Sequence, residues 1–80
     1  MPTVLLRHME AGQKGTIVRV NATGELGRRI RDMGLVPGTH VQIQGRAPLR
    51  DPVAIRTRDF TLSLRNNEAD LIEIAVEEGP

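Results

Sequence analysis

Residues 31–45, "RDMGLVPGTHVQIQG", pass from a helical period to a strand period across a glycine stop and a Pro-Gly turn. Just upstream, Leu26, Ile30 and Met33 recur at i, i+4 and i+7, with Arg28, Arg29, Arg31 and Asp32 filling positions between them. This spacing predicts a short amphipathic helix from about Gly24 to Met33, with Thr23 as its N-cap. Gly34 falls where that helix must stop. The residue past the last turn is often left-handed, a conformation glycine adopts without steric cost. Leu35 can then fold back onto the helix, and Val36-Pro37-Gly38-Thr39 fits a type II turn with Pro37 and Gly38 central. Beyond the turn, Val41 and Ile43 alternate with His40, Gln42 and Gln44, a strand with one wet face.

Working outward, "TIVRVNA" sets Thr16, Val18 and Val20 against Arg19 and Asn21, which reads as a strand preceding the helix. "VAIRTR" supplies Val53 and Ile55, and "FTLSLR" supplies Phe60, Leu62 and Leu64, with Arg58-Asp59 as a minimal hairpin connection lacking the usual glycine. Phe60 opens its strand in core phase and is expected inside. "NNEADLI" offers Asn66 or Asn67 as cap of about one helical turn, and Ile72, Ile74 and Val76 form a closing strand. The expected architecture is mainly β: a small barrel of about five strands, one helix between the first two, and a helical turn before the last. Pro48 and Pro52 pin the loop joining the second and third strands, and no linker divides the single domain of residues 1–80.

Eighty residues bury a thin core, about 60% of the unfolded surface. Cysteine is absent, which excludes disulfides, thiolate metal sites and cysteine nucleophiles. The longest apolar run, Val4-Leu5-Leu6, is far below the ~20 residues of a membrane span. No basic-then-apolar leader is visible, so the expected location is the cytoplasm, without membrane insertion. The net charge of +1 conceals a division. All eleven bases, ten of them arginine, fall within residues 7–65, whereas residues 66–80 carry Glu68, Asp70, Glu73, Glu77 and Glu78 and no base.

Catalytic chemistry finds no foothold. "GQKGT" fails as a phosphate loop because Gly15, not serine or threonine, follows Lys14. His8 and His40 are the only histidines and lack any metal-ligand spacing, and the sole serine, Ser63, lies inside a strand. No catalytic residue, cofactor site or metal site is therefore assigned, and an enzyme is not expected. The arginines Arg28, Arg29, Arg31, Arg46, Arg50, Arg56 and Arg58 permit phosphate neutralisation, but stacking platforms for single strands need aromatics, and Phe60 is the only one. Nucleic acid is not the expected partner.

The order Leu5, Gly12, Gly15-Thr16-Ile17-Val18, then Arg29-Ile30-Arg31-Asp32-Met33-Gly34-Leu35-Val36-Pro37-Gly38-Thr39, then Ala47-Pro48-Leu49-Arg50-Asp51-Pro52-Val53 resembles the FeoA family. Leu62-Ser63-Leu64-Arg65, Glu68-Ala69 and Ile72 extend the likeness over about residues 5–76. Arg58-Asp59 departs from the glycine-containing hairpin tip common in the family, and Arg50 stands where glycine is frequent. The resemblance implies an SH3-like barrel acting as a cytosolic accessory of ferrous iron uptake, in contact with the GTP-binding part of the FeoB transporter. It also implies a rival reading: a metal-responsive module like the C-terminal domain of DtxR-type iron-dependent repressors. Gly34, Pro37, Gly38, Pro48, Asp51 and Pro52 are then structural motif residues. Arg28, Arg29, Leu35, Leu49 and Arg50 are the expected partner contacts, and a homodimer is admissible.

Overall fold

The computed structural model describes residues 3–49, 51–58 and 60–77. Strand β1 (Thr3–Leu5) leads through a 3-10 turn (Leu6–His8) to β2 (Lys14–Val20), α1 (Gly24–Asp32) and β3 (His40–Arg46). Then follow β4 (Val53–Thr57), β5 (Phe60–Leu64), α2 (Asn66–Ala69) and β6 (Ile72–Val76). These strands form one antiparallel sheet in the order β1-β6-β2-β3-β4-β5. The mainly β architecture and both helical segments fall where the sequence places them, but β1 is an additional strand. Three residues are too few to show alternation. β6 defines that strand by pairing Thr3 with Ala75, Val4 with Ile74 and Leu5 with Glu73.

These elements share one hydrophobic core: Leu6, Met9, Ile17, Ile30, Leu35, Val41, Ile43, Val53, Ile55, Leu64, Ala69, Ile72 and Ile74 are buried. Alternation is obeyed in β3, β4 and β6, where Val41/Ile43, Val53/Ile55 and Ile72/Ile74 point inward. In β2 it is not. The sequence puts Thr16, Val18 and Val20 on one face, yet Ile17 is the buried side chain and Val18 is exposed. Ile17 pairs with Ile74 while Arg19 pairs with Glu73, so a β-bulge at Val18 shifts the phase.

Two further expectations are corrected. Phe60 is 67% exposed rather than in the core. It pairs with Thr57 at the hairpin end of β5, an edge strand, and burial fades along β5 from Leu64 through the half-buried Leu62 to Phe60. Leu26 is left 37% exposed, outside the core, because α1 buries Gly27 and Ile30 instead. A Cβ at Gly27 would lie 2.5 Å from the Ala22 carbonyl oxygen, so the missing side chain lets the helix touch the preceding loop. Met33 packs against the core as its spacing predicts.

Candidate partner-binding surface

The helix stop follows the sequence in detail. Gly34 has φ +88°, its N–H bonds the Arg31 carbonyl at 2.9 Å, and the Leu35 N–H reaches the Ile30 carbonyl at 3.3 Å. This pair of bonds is the Schellman motif, and its apolar contact is supplied by Leu35 and Ile30, both fully buried. Leu35 therefore belongs to the core, and its place among the partner contacts is withdrawn. The following turn closes with Thr39 N–H on the Val36 carbonyl at 3.1 Å, with Gly38 at φ +96°. Gly38 N–H bonds the Ile17 carbonyl at 2.8 Å and Ile17 N–H bonds the Thr39 carbonyl at 2.9 Å, so the turn is laced onto β2. Thr39 Oγ1 also donates to the Gly34 carbonyl at 3.1 Å.

The β3–β4 loop, residues 47–52, has the same division between a fixed base and a free tip. Ala47 N–H bonds the Pro52 carbonyl at 3.1 Å across its neck, and the Asp51–Pro52 peptide is cis. Asp51 Oδ1 accepts the Asn66 N–H at 2.9 Å, satisfying a free donor at the start of α2. At the tip Pro48 is exposed and Leu49 is 90% exposed. Arg50 lies outside the described residues, as does Asp59 of the expected hairpin connection. Arg58, on the described side of that connection, has φ +50°.

α2 is capped by its surroundings rather than by Asn66 or Asn67. Arg65 is the N-cap residue, and its N–H bonds Glu68 Oε1 at 3.1 Å. Thr23 occupies the N-cap of α1, but its hydroxyl makes no capping bond. The sequence reading missed Glu68 as a buried group, although a glutamate three residues past the cap is half of the capping-box pattern. Its other oxygen, Oε2, is 3.8 Å from Arg29 Nε. Arg29 is thus both solvent-facing and a tie between α1 and α2. Arg46 fastens the opposite flank, donating to the Met9 carbonyl at 2.9 Å, to Asn66 Oδ1 at 3.5 Å and to the Arg7 carbonyl. Arg7 in turn pairs with Asp70 at 3.0 Å.

A run of contacts therefore links α1 through Glu68 and Asn66 to Asp51 and the loop carrying Leu49. On α1 itself, Arg28 and Arg29 line a shallow depression of about 450 Å³ with Glu25, Asp32 and Met33. The depression carries mixed charge, and Leu49 stands exposed on the loop that Asp51 ties to α2. His40 Nδ1 lies 2.9 Å from Thr16 Oγ1, and Ser63 is exposed as its strand phase predicts. Among the described residues no group of three or more His, Cys, Asp or Glu stands together to hold a metal ion, and no helix is long and apolar enough to cross a membrane.

Comparison with known proteins gives these features a context. The FeoA domain family matches residues 4–76. The Fe(2+) transport protein A/Fe(2+) transporter FeoB fusion protein of Porphyromonas gingivalis is 41% identical over 69 residues, which cover 86% of this chain and 8% of that protein. This chain thus spans less than a tenth of that relative's length. An FeoA-like protein from Clostridium acetobutylicum shares the structure with a TM-score of 0.91 at 35% identity, over 100% of this chain and 93% of that one. FeoA of Stenotrophomonas maltophilia complexed with zinc, described as a prokaryotic SH3 domain protein, matches with a TM-score of 0.77 at 22% identity, over 94% of this chain and 91% of that one. The fold is accordingly SH3-like, as the resemblance implies. With a family match running from the first described strand to the last, over a sheet shared with an FeoA-like structure, this chain belongs to the FeoA family.

Proposed function

We propose that this chain is a non-catalytic accessory of ferrous iron uptake, acting in the cytoplasm by binding the GTP-binding part of an FeoB-type transporter. One observation carries the reading: in the Porphyromonas gingivalis relative the two components are joined in one polypeptide. Covalent linkage holds two modules at an effective concentration in the millimolar range, which suits partners that act together. The surface supports this reading, since it offers exposed charge and an exposed leucine on rigid supports but no assembled nucleophile or metal-ligand set among the described residues. Ferrous iron is then the transporter's cargo.

The contact set is Arg28, Leu49 and Arg50, with Arg29 contributing its solvent-facing edge. Loops held on a rigid sheet commonly carry binding, and Leu49 is the exposed apolar anchor here. The test is titration of this chain against the purified cytosolic domain of its transporter, with and without GTP. Binding is expected, and the double variant Arg28→Glu/Leu49→Asp should weaken it at least roughly tenfold, as loss of an anchor residue does. Its melting temperature should not change. Unaltered affinity in that variant would remove this surface from the interface; no binding by the native chain in either nucleotide state would end the transporter reading. Light scattering on the same samples reports whether the chain dimerises.

A further inference from the structure

Away from α1, the outer face of the sheet gathers three cations. β2 pairs Lys14 with Gln42, β3 pairs Gln42 with Arg56, and Arg58 follows Thr57, the last residue of β4. Lys14, His40, Gln42, Arg56 and Arg58 line an open groove of about 450 Å³, with Glu77 at its rim. Among the described residues Lys14, Arg56 and Arg58 make no ion pair, in contrast to Arg7, Arg19 and Arg29, each of which meets a carboxylate. Arg58 sits at φ +50° in the two-residue connection between Thr57 and Phe60, where the hairpin turn demands a positive φ, and this places it at the end of the groove.

We infer that this groove docks an extended acidic polypeptide segment, at a site independent of the transporter reading. Charge complementarity selects the occupant. Lys14 and Arg56 stand two strands apart, about 10 Å, and Arg58 lies just past the end of β4, so the three cations are spread around the groove rather than gathered at one point. A segment carrying several carboxylates along an extended backbone can meet all three, whereas a single compact anion cannot. A small phosphorylated molecule would be left largely in water, because binding pockets for such ligands normally enclose most of their surface. A nucleic-acid strand would lack a stacking surface. Phe60, the only aromatic in the chain, pairs with the inward-facing Thr57 and shares its face of the sheet, opposite Arg56.

The experiment is fluorescence anisotropy at low salt, using a fluorescein-labelled peptide of alternating glutamate and serine. The native chain should bind it, and Lys14→Glu/Arg56→Glu/Arg58→Glu should lose at least roughly tenfold in affinity, the combined effect of three exposed pairs. Glu77→Lys should tighten binding, and Arg28→Glu on α1 should leave it unchanged. All three groove cations are exposed, so the variants should melt like the native chain. If the triple reversal fails to fold, Lys14→Gln/Arg56→Gln/Arg58→Gln reads the same loss. Failure of the native chain to bind, or equal binding by the folded triple variant, overturns the inference. So does competition in which unlabelled oligothymidylate displaces the peptide more effectively than unlabelled peptide does, since the groove would then be a phosphate track.

Discussion

At Gly34 a Cβ would meet nothing within 4 Å, yet φ is +88°, so any side chain there is opposed by the backbone alone. Gly34→Val should cost on the order of 1–2 kcal/mol. In a domain of this size that lowers the melting temperature by roughly 5–15 °C. A thermal melt indistinguishable from the native one would mean that the segment relaxes out of the left-handed region. Gly27 presents the opposite situation. Its backbone is helical, and glycine to alanine inside a helix ordinarily stabilises by about 1 kcal/mol. Here the added Cβ would lie 2.5 Å from the Ala22 carbonyl oxygen and 2.8 Å from its carbon. Gly27→Ala should therefore destabilise by about 1–3 kcal/mol, the range for overpacking. Urea denaturation decides the sign, and a stabilised variant would show that the 21–23 loop yields.

At the scale of elements, α1 and α2 meet through one contact that separates two neighbouring arginines. From the sequence both Arg28 and Arg29 read as free surface charges. In the structure Arg29 stands 3.8 Å from the buried Glu68 carboxylate, while Arg28 makes no ion pair among the described residues. Arg29→Glu sets two carboxylates against each other where one is poorly hydrated. About 1 kcal/mol of stability should be lost, the upper end for a pair whose arginine is well exposed. Arg28→Glu should stay within about 0.5 kcal/mol of native. Denaturant titration of both single variants checks this, and equal effects would show that the inter-helix tie contributes nothing.

For the molecule as a whole, the sheet order makes stability uneven. β6 is bonded on both sides, to β1 and β2, and contributes Ile72 and Ile74 to the core. β5 has β4 as its sole sheet neighbour and ends in an exposed phenylalanine. Opening of an edge strand exposes less apolar surface than opening of an interior one, so its amides should exchange at lower free energy. Native-state hydrogen exchange should find the slowest amides in β6 and its partner residues in β2, and faster exchange in β5. Equal protection of β5 and β6 would indicate that the sheet opens only as a unit. The same asymmetry keeps both proposed docking regions mechanically supported: the groove floor is β2-β3-β4, and the Leu49 loop is tied through Asp51 to α2.

What the sequence by itself determined is what short-range chemistry decides. The Gly34 stop, the fold-back of Leu35 and the Pro37-Gly38 turn depend on φ preferences and on hydrogen bonds between residues close in the chain. The strands β3, β4 and β6 were legible because their inward pairs, Val41/Ile43, Val53/Ile55 and Ile72/Ile74, keep alternation in the sequence. Where the deciding contact lay far along the chain, the sequence was silent. β1 is a strand only because β6 lies beside it, and the phase of β2 changes at Val18, where its pairing with β6 is bulged. Phe60 is outside because β5 has no second neighbour, a fact of topology and not of local composition. Within the candidate site, Leu49 as a solvent-facing residue was legible from its loop. Arg29 as an inter-helix tie was not, because its partner carboxylate lies thirty-nine residues away in the sequence and is brought near only by the folded sheet. The three-cation groove is likewise not legible in one segment: Lys14 joins Arg56 and Arg58 only through the β2-β3-β4 register. Local propensity acts through a few covalent bonds, whereas burial and charge pairing depend on which distant strands pack together, and that is settled only when the core closes.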